Sequence, residues 1–195
     1  MKRLKNILKS PLDKTKAAAK WFTNSVKTLA KKIPDGMIEL RVMGTPPVGE
    51  IALFRYDPKH KKTLPYYDEH PLILVVDFTS EDFWGINLHY IPPDMRKKFI
   101  DQLYKLKMEN MDDYKAYIKK AMPLLNALGN SDLFSHCYKQ YKVKGHVKSK
   151  FAIIKPEYWK VVSRLPLQQF KKQDQKVVWQ DAKRLRSRKA RKFGF

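Results

Sequence analysis

The residues best suited to chemistry in this 195-residue chain are cations clustered near its C-terminal end. Seven of the ten residues from Lys183 to Lys192 are basic, and four of the seven are arginines. The planar guanidinium of arginine matches two phosphate oxygens at once, whereas lysine offers a point charge. Nothing in the run supplies specificity for base edges, so it predicts contact with DNA phosphates and no sequence reading. The candidate DNA-binding residues of this run are Lys183, Arg184, Arg186, Arg188, Lys189, Arg191 and Lys192. A solvated tail, or a segment that docks in an acidic protein groove, is the alternative interpretation.

A second basic field precedes this run, and in it lysines alternate with aromatic and β-branched residues. The field contains Lys139 together with the four candidate DNA contacts Lys142, Lys144, Lys148 and Lys150. The residues interleaved with them are Tyr138, Tyr141, Val143, His146, Val147 and Phe151. Basic residues interleaved with aromatics suit nucleic-acid backbones and stacked bases. The same aromatics could equally belong to a core, and the sequence leaves both interpretations open.

Groups that could perform catalysis or bind a metal are present, but their spacing does not favour either role. None of the five histidines has a partner at the spacing that places two metal ligands on one helix face. His136 and Cys137 are adjacent, so their side chains diverge in either regular structure. The acidic pairs that a magnesium-dependent nuclease could use are Asp68–Glu69, Glu81–Asp82 and Asp112–Asp113. Each pair lies in a predicted turn or helix start, where acidic residues are common. We therefore predict no catalytic residue, no metal site, no cofactor and no enzymatic activity, and a nuclease is the weakest hypothesis.

The formal net charge of +22 is concentrated away from the middle of the chain. Residues 1–33 carry ten basic residues and one acidic residue, and residues 171–195 carry ten and two. Residues 34–137 carry thirteen basic and fifteen acidic residues. Such a charge calls for an anionic partner, while 43% hydrophobic residues exclude a wholly disordered polycation. We predict a basic N-terminal amphipathic helix or arm at 1–33, a body at 34–170 and a basic C-terminal tail at 171–195.

Within the body the apolar pattern predicts strands first and helices afterwards. The body is β-rich over 37–91, helical over 93–129, and basic and aromatic over 138–170. The predicted strands are 38–42, 48–56, 71–78, 83–90 and 152–154. Short strands bounded by proline loops are typical of a small antiparallel barrel or a strongly bent sheet. We predict an α+β fold with a β-barrel-like body, for which an SH3-like barrel is one candidate, with surrounding helices and basic helical or extended termini.

Two further patterns concern helices. The residues Ala18, Phe22, Val26, Leu29 and Ile33 form one apolar stripe, which predicts a helix over 11–32. No segment approaches about eighteen consecutive apolar residues, so the sequence predicts no transmembrane segment.

A loop between two predicted strands carries the most specific motif of the chain. Pro58, Pro65 and Pro71 stiffen it. We expect its tyrosines and Leu64 to pin it to the body, so that the lysines at 59, 61 and 62 point outward. The motif residues that we single out are Tyr56, Asp57, Pro58, Lys59, Leu64, Pro65, Tyr66, Tyr67 and Asp68. For Tyr66 and Tyr67 the sequence favours packing over base stacking.

The motif resembles a pattern in the virion proteins of tailed phages: Tyr-Asp-Pro-Lys, then Leu-Pro-Tyr-Tyr-Asp, then Pro-Leu. The segments Phe83–Pro93 and Tyr141–Phe151, followed by Trp159 and Leu165–Pro166, resemble the same proteins. The resemblance covers roughly residues 48–170. It is to the DNA end protector or head-completion proteins of T-even-like myophages.

This resemblance implies a virion protein that binds the end of packaged DNA near the head–tail junction, protects that end and helps to complete the head. The implied partners are double-stranded DNA, at its end or terminal segment, and other virion proteins of the portal, neck or tail. The implied locations are the virion and, during assembly, the host cytoplasm. The alternative is a structural neck, tail or baseplate subunit whose basic arms dock on other virion proteins.

Overall fold

A computed structural model of the chain describes residues 38–40, 45–130, 134–162 and 170–192, with Lys20 and Asn24 as two single helical positions. For residues 38–40, 128–130 and 186–192 it describes the backbone alone. The helix predicted over 11–32 lies outside the described residues apart from Lys20 and Asn24. That helix therefore stays a prediction.

Most strands of the structure belong to one antiparallel sheet. Its strands are β1 (Ile38–Leu40), β2 (Ile51–Leu53), β4 (Leu72–Phe78), β5 (Asp82–Asn87), β6 (Tyr138–Lys142) and β7 (Ala152–Ile154). Their order across the sheet is β1-β7-β2-β4-β5-β6, and every neighbouring pair is antiparallel. Two short strands, β3 (Tyr67–Asp68) and β8 (Phe170–Lys171), form a separate antiparallel pair.

The helices follow the sheet-rich part of the chain. They are α1 (Pro93–Met108), α2 (Tyr114–Asn130), the single turn α3 (Trp159–Val162) and α4 (Gln175–Lys192). Short 3-10 turns span Leu88–Tyr90 and Pro156–Tyr158. The helix α1 starts at a proline with Asp94 in its first turn, which suits the fixed φ of proline and the helix dipole. The predicted α+β class is confirmed.

The barrel-like body that the sequence predicts does not form. Within the described residues β1 and β6 each pair with one neighbour, so the sheet is open and an SH3-like barrel is not confirmed. The physical reason lies in what covers the two faces. Helices cover one face, and the connection between β6 and β7 covers the other, so the apolar surface is buried without closure of the sheet.

Alternate residues of the central strands enter two different cores. In β2 and the residue after it, Ile51 and Leu53 face the helical side, while Ala52 and Phe54 face the other side. The second core is rich in aromatic rings that meet edge to face or stack. Its members are Ala52, Phe54, Ile73, Val75, Phe83, Tyr141, Phe151 and Ile153. Because Tyr141 and Phe151 are 5% and 2% exposed, the base-stacking interpretation is wrong for these two residues.

The C-terminal segment is attached to the body at its start. Val178 and Ala182 on α4 are buried, and the Nε1–H of Trp179 donates to the carbonyl of His89 at 3.0 Å. Just before α4, Lys172 adopts a φ of 71° and its Nζ donates to the carbonyls of Lys62 and Leu64 at 2.9 and 2.8 Å. These two hydrogen bonds join the C-terminal segment to the loop of the Tyr-Asp-Pro-Lys motif.

No helix among the described residues is long and apolar enough to cross a membrane.

Candidate functional site

The loop motif forms one side of a pocket with a volume of about 500 Å³. Eight of the nine motif residues line it, and Asp57 is the one that does not. The opposite side comes from β6 and from the end of β5. The full lining is Tyr56, Pro58, Lys59, His60, Leu64, Pro65, Tyr66, Tyr67, Asp68, Asn87, Tyr90, Lys139, Gln140, Tyr141 and Lys142.

Local turns hold the loop in this position. The N–H of Lys61 donates to the carbonyl of Pro58 at 3.2 Å, and that of Leu64 to the carbonyl of His60 at 2.9 Å. The lysines at 59, 61 and 62 are exposed, as the sequence predicts. The ammonium of Lys61 lies 2.7 Å from a carboxylate oxygen of Asp57 and forms an ion pair with it. Asp57 therefore stabilises the loop and does not line the pocket.

The floor of the pocket is a buried network around Asp68. Its Oδ2 lies 2.7 Å from Nδ1 of His89 and 3.4 Å from Nδ2 of Asn87, and its Oδ1 accepts the N–H of His70 at 3.0 Å. Nδ2 of Asn87 also donates to the hydroxyl of Tyr141 at 3.1 Å. A buried carboxylate is stable only when donors surround it, and Asp68 has three. Asp68 thus ties β3 to β5 and to the 3-10 turn after β5.

The walls are tyrosines, and four of the five are held by other rings. Tyr90 lies 5.0 Å from Phe170 and 6.0 Å from Tyr66 between ring centroids, and Tyr56 and Tyr141 are 5.0 Å apart. Tyr67 is half-buried and has no ring contact within the described part of the chain. Burial raises the pKa of both Tyr90 and Tyr141, so their hydroxyls keep their protons at neutral pH.

The charge of the pocket is positive at its rim. The ammonium of the half-buried Lys139 lies 4.6 Å from the ring centroid of Tyr90, and Lys59 and Lys142 are exposed. Burial lowers the pKa of Lys139, because the charged form loses hydration. Lys139 forms no ion pair with a carboxylate in the part of the chain that the structure describes. Among the described lining residues Asp68 is the one carboxylate, and its donors already occupy it.

The structure distributes the predicted DNA contacts over two places. Lys142 reaches the pocket, while Lys144, Lys148 and Lys150 follow on the connection to β7. The ammonium of Lys148 donates to the carbonyl of Gly145. On α4, Lys183 and Arg184 are exposed, and Arg184 has Nη1 at 3.8 Å from Oδ1 of Asp181.

For the rest of the basic run the helical backbone is described but the side chains are not. These residues are Arg186, Arg188, Lys189, Arg191 and Lys192.

Besides His60 of the loop, sequence reasoning did not assign five lining residues to a site: Asn87, Tyr90, Lys139, Gln140 and Tyr141. Their place follows from the pairing of β5 with β6, in which Trp84 opposes Gln140 and Gly85 opposes Lys139. The one available signal was the alternation of basic and aromatic residues in the second field. That signal was weak because the pattern of residues 138–142 did not predict a strand.

The acidic pairs are engaged in structural contacts. Asp82 accepts from Nε2 of Gln140 at 2.7 Å, and Asp113 accepts the N–H of Ala116 at 2.9 Å at the start of α2. Among the described residues, no group of three or more His, Cys, Asp or Glu side chains is arranged to hold a metal ion.

Comparison with known proteins gives one match. The family model described as "Phage T4 terminal DNA protecting protein" matches residues 2–186 of the chain. This range contains the whole loop motif, every residue of the pocket and the basic run as far as Arg186. No curated protein and no solved structure matches the chain. The match agrees with the resemblance that the loop motif carries.

Proposed function

Because the chain belongs to the Phage T4 terminal DNA protecting protein family, we propose that it binds the end of double-stranded phage DNA and shields it. The contacts go to phosphates and do not read the base sequence. The family match over residues 2–186 is the observation that carries this proposal. The distribution of charge supports it, because cations lie both at the pocket and on α4.

The helix α4 is suited to present the basic run to a DNA backbone. Its first turns are fixed to the body at Val178 and Ala182, and Lys183 and Arg184 are exposed immediately after. The backbone remains helical to Lys192, which lies about 15 Å beyond Ala182 along the helix axis at about 1.5 Å per residue. A helix anchored at one end can hold several cations along a phosphate backbone at a lower ordering cost than a free tail.

We extend the proposal to the place of the protein in the particle. It lies in the virion near the head–tail junction, contacts portal, neck or tail proteins, helps to complete the head, and passes through the host cytoplasm during assembly. It acts by binding and carries out no catalysis. Cross-linking within purified particles tests this placement. Cross-links to DNA support it, and cross-links of the basic segments to proteins alone would favour a neck, tail or baseplate subunit.

Salt dependence tests the phosphate contacts. The variant carries glutamine at five positions of the run: Arg184, Arg186, Arg188, Lys189 and Arg191. Each phosphate contact contributes about −0.9 to the slope of log affinity against log salt, so the slope should flatten by about 4 to 5 if all five make contact. Fluorescence anisotropy with duplexes of two unrelated sequences measures both the slope and the lack of base preference.

The matched control removes the same number of charges from exposed positions on α1 and α2. It carries glutamine at Lys97, Lys98, Lys105, Lys115 and Lys119. We expect its slope to stay close to that of the unaltered chain. Equal flattening in both variants would show that net charge, and not the run on α4, determines binding.

A further inference from the structure

We propose that the pocket under the loop motif receives one unpaired nucleotide from the terminus of a DNA strand, and so distinguishes a DNA end from continuous duplex. This inference rests on the proposed function and adds to it a site and a ligand. Phosphate contacts alone are the same along a duplex and at its end, so they cannot make that distinction.

The size of the pocket suits one nucleotide. Its volume of about 500 Å³ lies within the range of roughly 300–1,000 Å³ that is usual for small-molecule sites. A base-paired duplex cannot enter a cavity of this volume. The ligand is therefore a single nucleotide whose base is no longer paired or stacked in the duplex.

The rim suits the phosphate of that unit. Lys139 has its ammonium over the ring of Tyr90 and no carboxylate partner among the described residues, so its charge is available to an anion. Lys59 and Lys142 also line the pocket, and both are exposed. The carboxylate of Asp68 lies on the floor and already accepts from His89, Asn87 and His70, as described above.

Tyr67 suits the base. It is the one tyrosine of the pocket without a ring partner in the described part of the chain, and it is half-buried. An aromatic ring in such a place stacks with any base, because every base has a π-face. The amides of the pocket have protein partners: Asn87 bonds Asp68 and Tyr141, and Gln140 bonds Asp82. The site thus accepts a base by stacking and has little with which to read its identity.

A terminus is where such a ligand is found. Taking a nucleotide out of a duplex requires unstacking and unpairing, and this cost is least where the base is already unpaired. A terminal base pair lacks a neighbour on one side, so it opens more readily than an internal pair. A pocket for one unpaired nucleotide is accordingly filled at ends and left empty on continuous duplex.

The test uses the full chain and a duplex with 2-aminopurine at a terminal position of either strand, and a second duplex with it at an internal position. Binding is measured in the same samples by anisotropy. The unaltered chain should change the emission of terminal 2-aminopurine and leave the internal probe nearly unchanged. Tyr67→Ala should abolish the terminal change and lower the affinity for open ends by at least about fivefold, while affinity for a duplex closed by hairpins stays the same.

Four further variants keep the test decisive. Tyr67→Phe retains the ring and should keep the terminal signal. The unchanged affinity of Tyr67→Ala for the hairpin-closed duplex excludes unfolding as the cause. Lys139→Gln and the exposed Lys59→Gln should weaken end binding, whereas Lys97→Gln on α1 should not.

The inference is overturned if the chain binds duplex but gives equal signals at terminal and internal probes. It is also overturned if Tyr67→Ala leaves the terminal signal intact. Failure of the unaltered chain to bind duplex at all would instead refute the proposed function.

Discussion

Asp68 is the residue that fixes the shape of the pocket, because it joins β3 to β5 and to the turn that contains His89. Its carboxylate is buried, and its partners are His70 in the same segment and Asn87 and His89 in a later one. The sequence included Asp68 in the loop motif but assigned the pair Asp68–Glu69 to an ordinary turn. Its partner His89 lies 21 residues further along the chain, and no local sequence pattern predicts such a contact.

The variant Asp68→Asn tests this role. The amide keeps the shape but places a donor where the carboxylate accepted, so one of the bonds to His89, Asn87 or His70 is lost in a buried place. We expect a loss of about 1–3 kcal/mol in the free energy of unfolding, measured by urea denaturation. The control Asp112→Asn alters an exposed carboxylate and should stay within about 0.5 kcal/mol. Equal stability of the two variants would show that the network contributes little.

Lys139 gives a second prediction for a single residue. Burial lowers its pKa from the ordinary value of 10.5, so the folded chain loses this proton at a lower pH than the unfolded chain does. Between the two pKa values the unfolded state binds more protons, and the contribution of Lys139 to stability therefore rises with pH. A phosphate beside the ammonium favours the charged form and should raise the pKa again. NMR titration of the lysine Cε resonances, with and without a 5′-phosphorylated oligonucleotide, measures both shifts. A pKa of Lys139 at the ordinary value of 10.5 both with and without the oligonucleotide would contradict the prediction.

At the scale of elements, α4 and β6 show what a local pattern can and cannot predict. The sequence left the basic C-terminal tail as either helical or extended, and the structure has a helix over Gln175–Lys192. Leu185 is nevertheless 43% exposed, so the apolar contact ends at Ala182 and the basic run continues without it. The strand β6 was not predicted, because its lysines obscure the alternation. Its identity depends on pairing with β5, which lies more than fifty residues earlier.

The attachment of α4 can be tested by two neighbouring valines. Val178 is fully buried, whereas Val177 is 37% exposed. Val178→Asp places an unpaired charge in an apolar site, and this should release the start of α4 while the sheet keeps its fold. Hydrogen exchange should show faster exchange over residues 175–185 in this variant and not in Val177→Asp. Exchange that is equally slow in both variants would mean that α4 is held by other contacts.

At the scale of the whole molecule, the sequence predicted the α+β class of the fold but not the arrangement of its strands. Proline-bounded strands are compatible with a barrel and with a bent open sheet, and the difference depends on whether β1 and β6 meet. The pocket was beyond prediction for the same reason. It brings together residues 56–68, 87–90 and 139–142, and only the long-range order of the strands places these segments side by side. The loop motif was found because it is continuous in the chain.

The charge of the molecule is distributed unevenly along the chain. The nearly neutral segment 34–137 supplies most of the sheet and the two long helices that cover it, and the cations lie largely outside that segment. A body that folds through apolar burial can carry such charges without depending on DNA for its core. Protection of an end then requires that the basic segments and the pocket act on one DNA terminus together.

Digestion of linear duplex by an exonuclease, with the full chain added in increasing amounts, measures that protection. Endonuclease cleavage at one internal site of the same duplex is followed in parallel. We predict that the ends become resistant when about one or a few molecules are bound per end, while the internal site is still cut at its original rate. Ends that are digested as fast as in free DNA, or ends protected only when the internal site is blocked as well, would contradict the assignment of this protein to the protection of DNA ends.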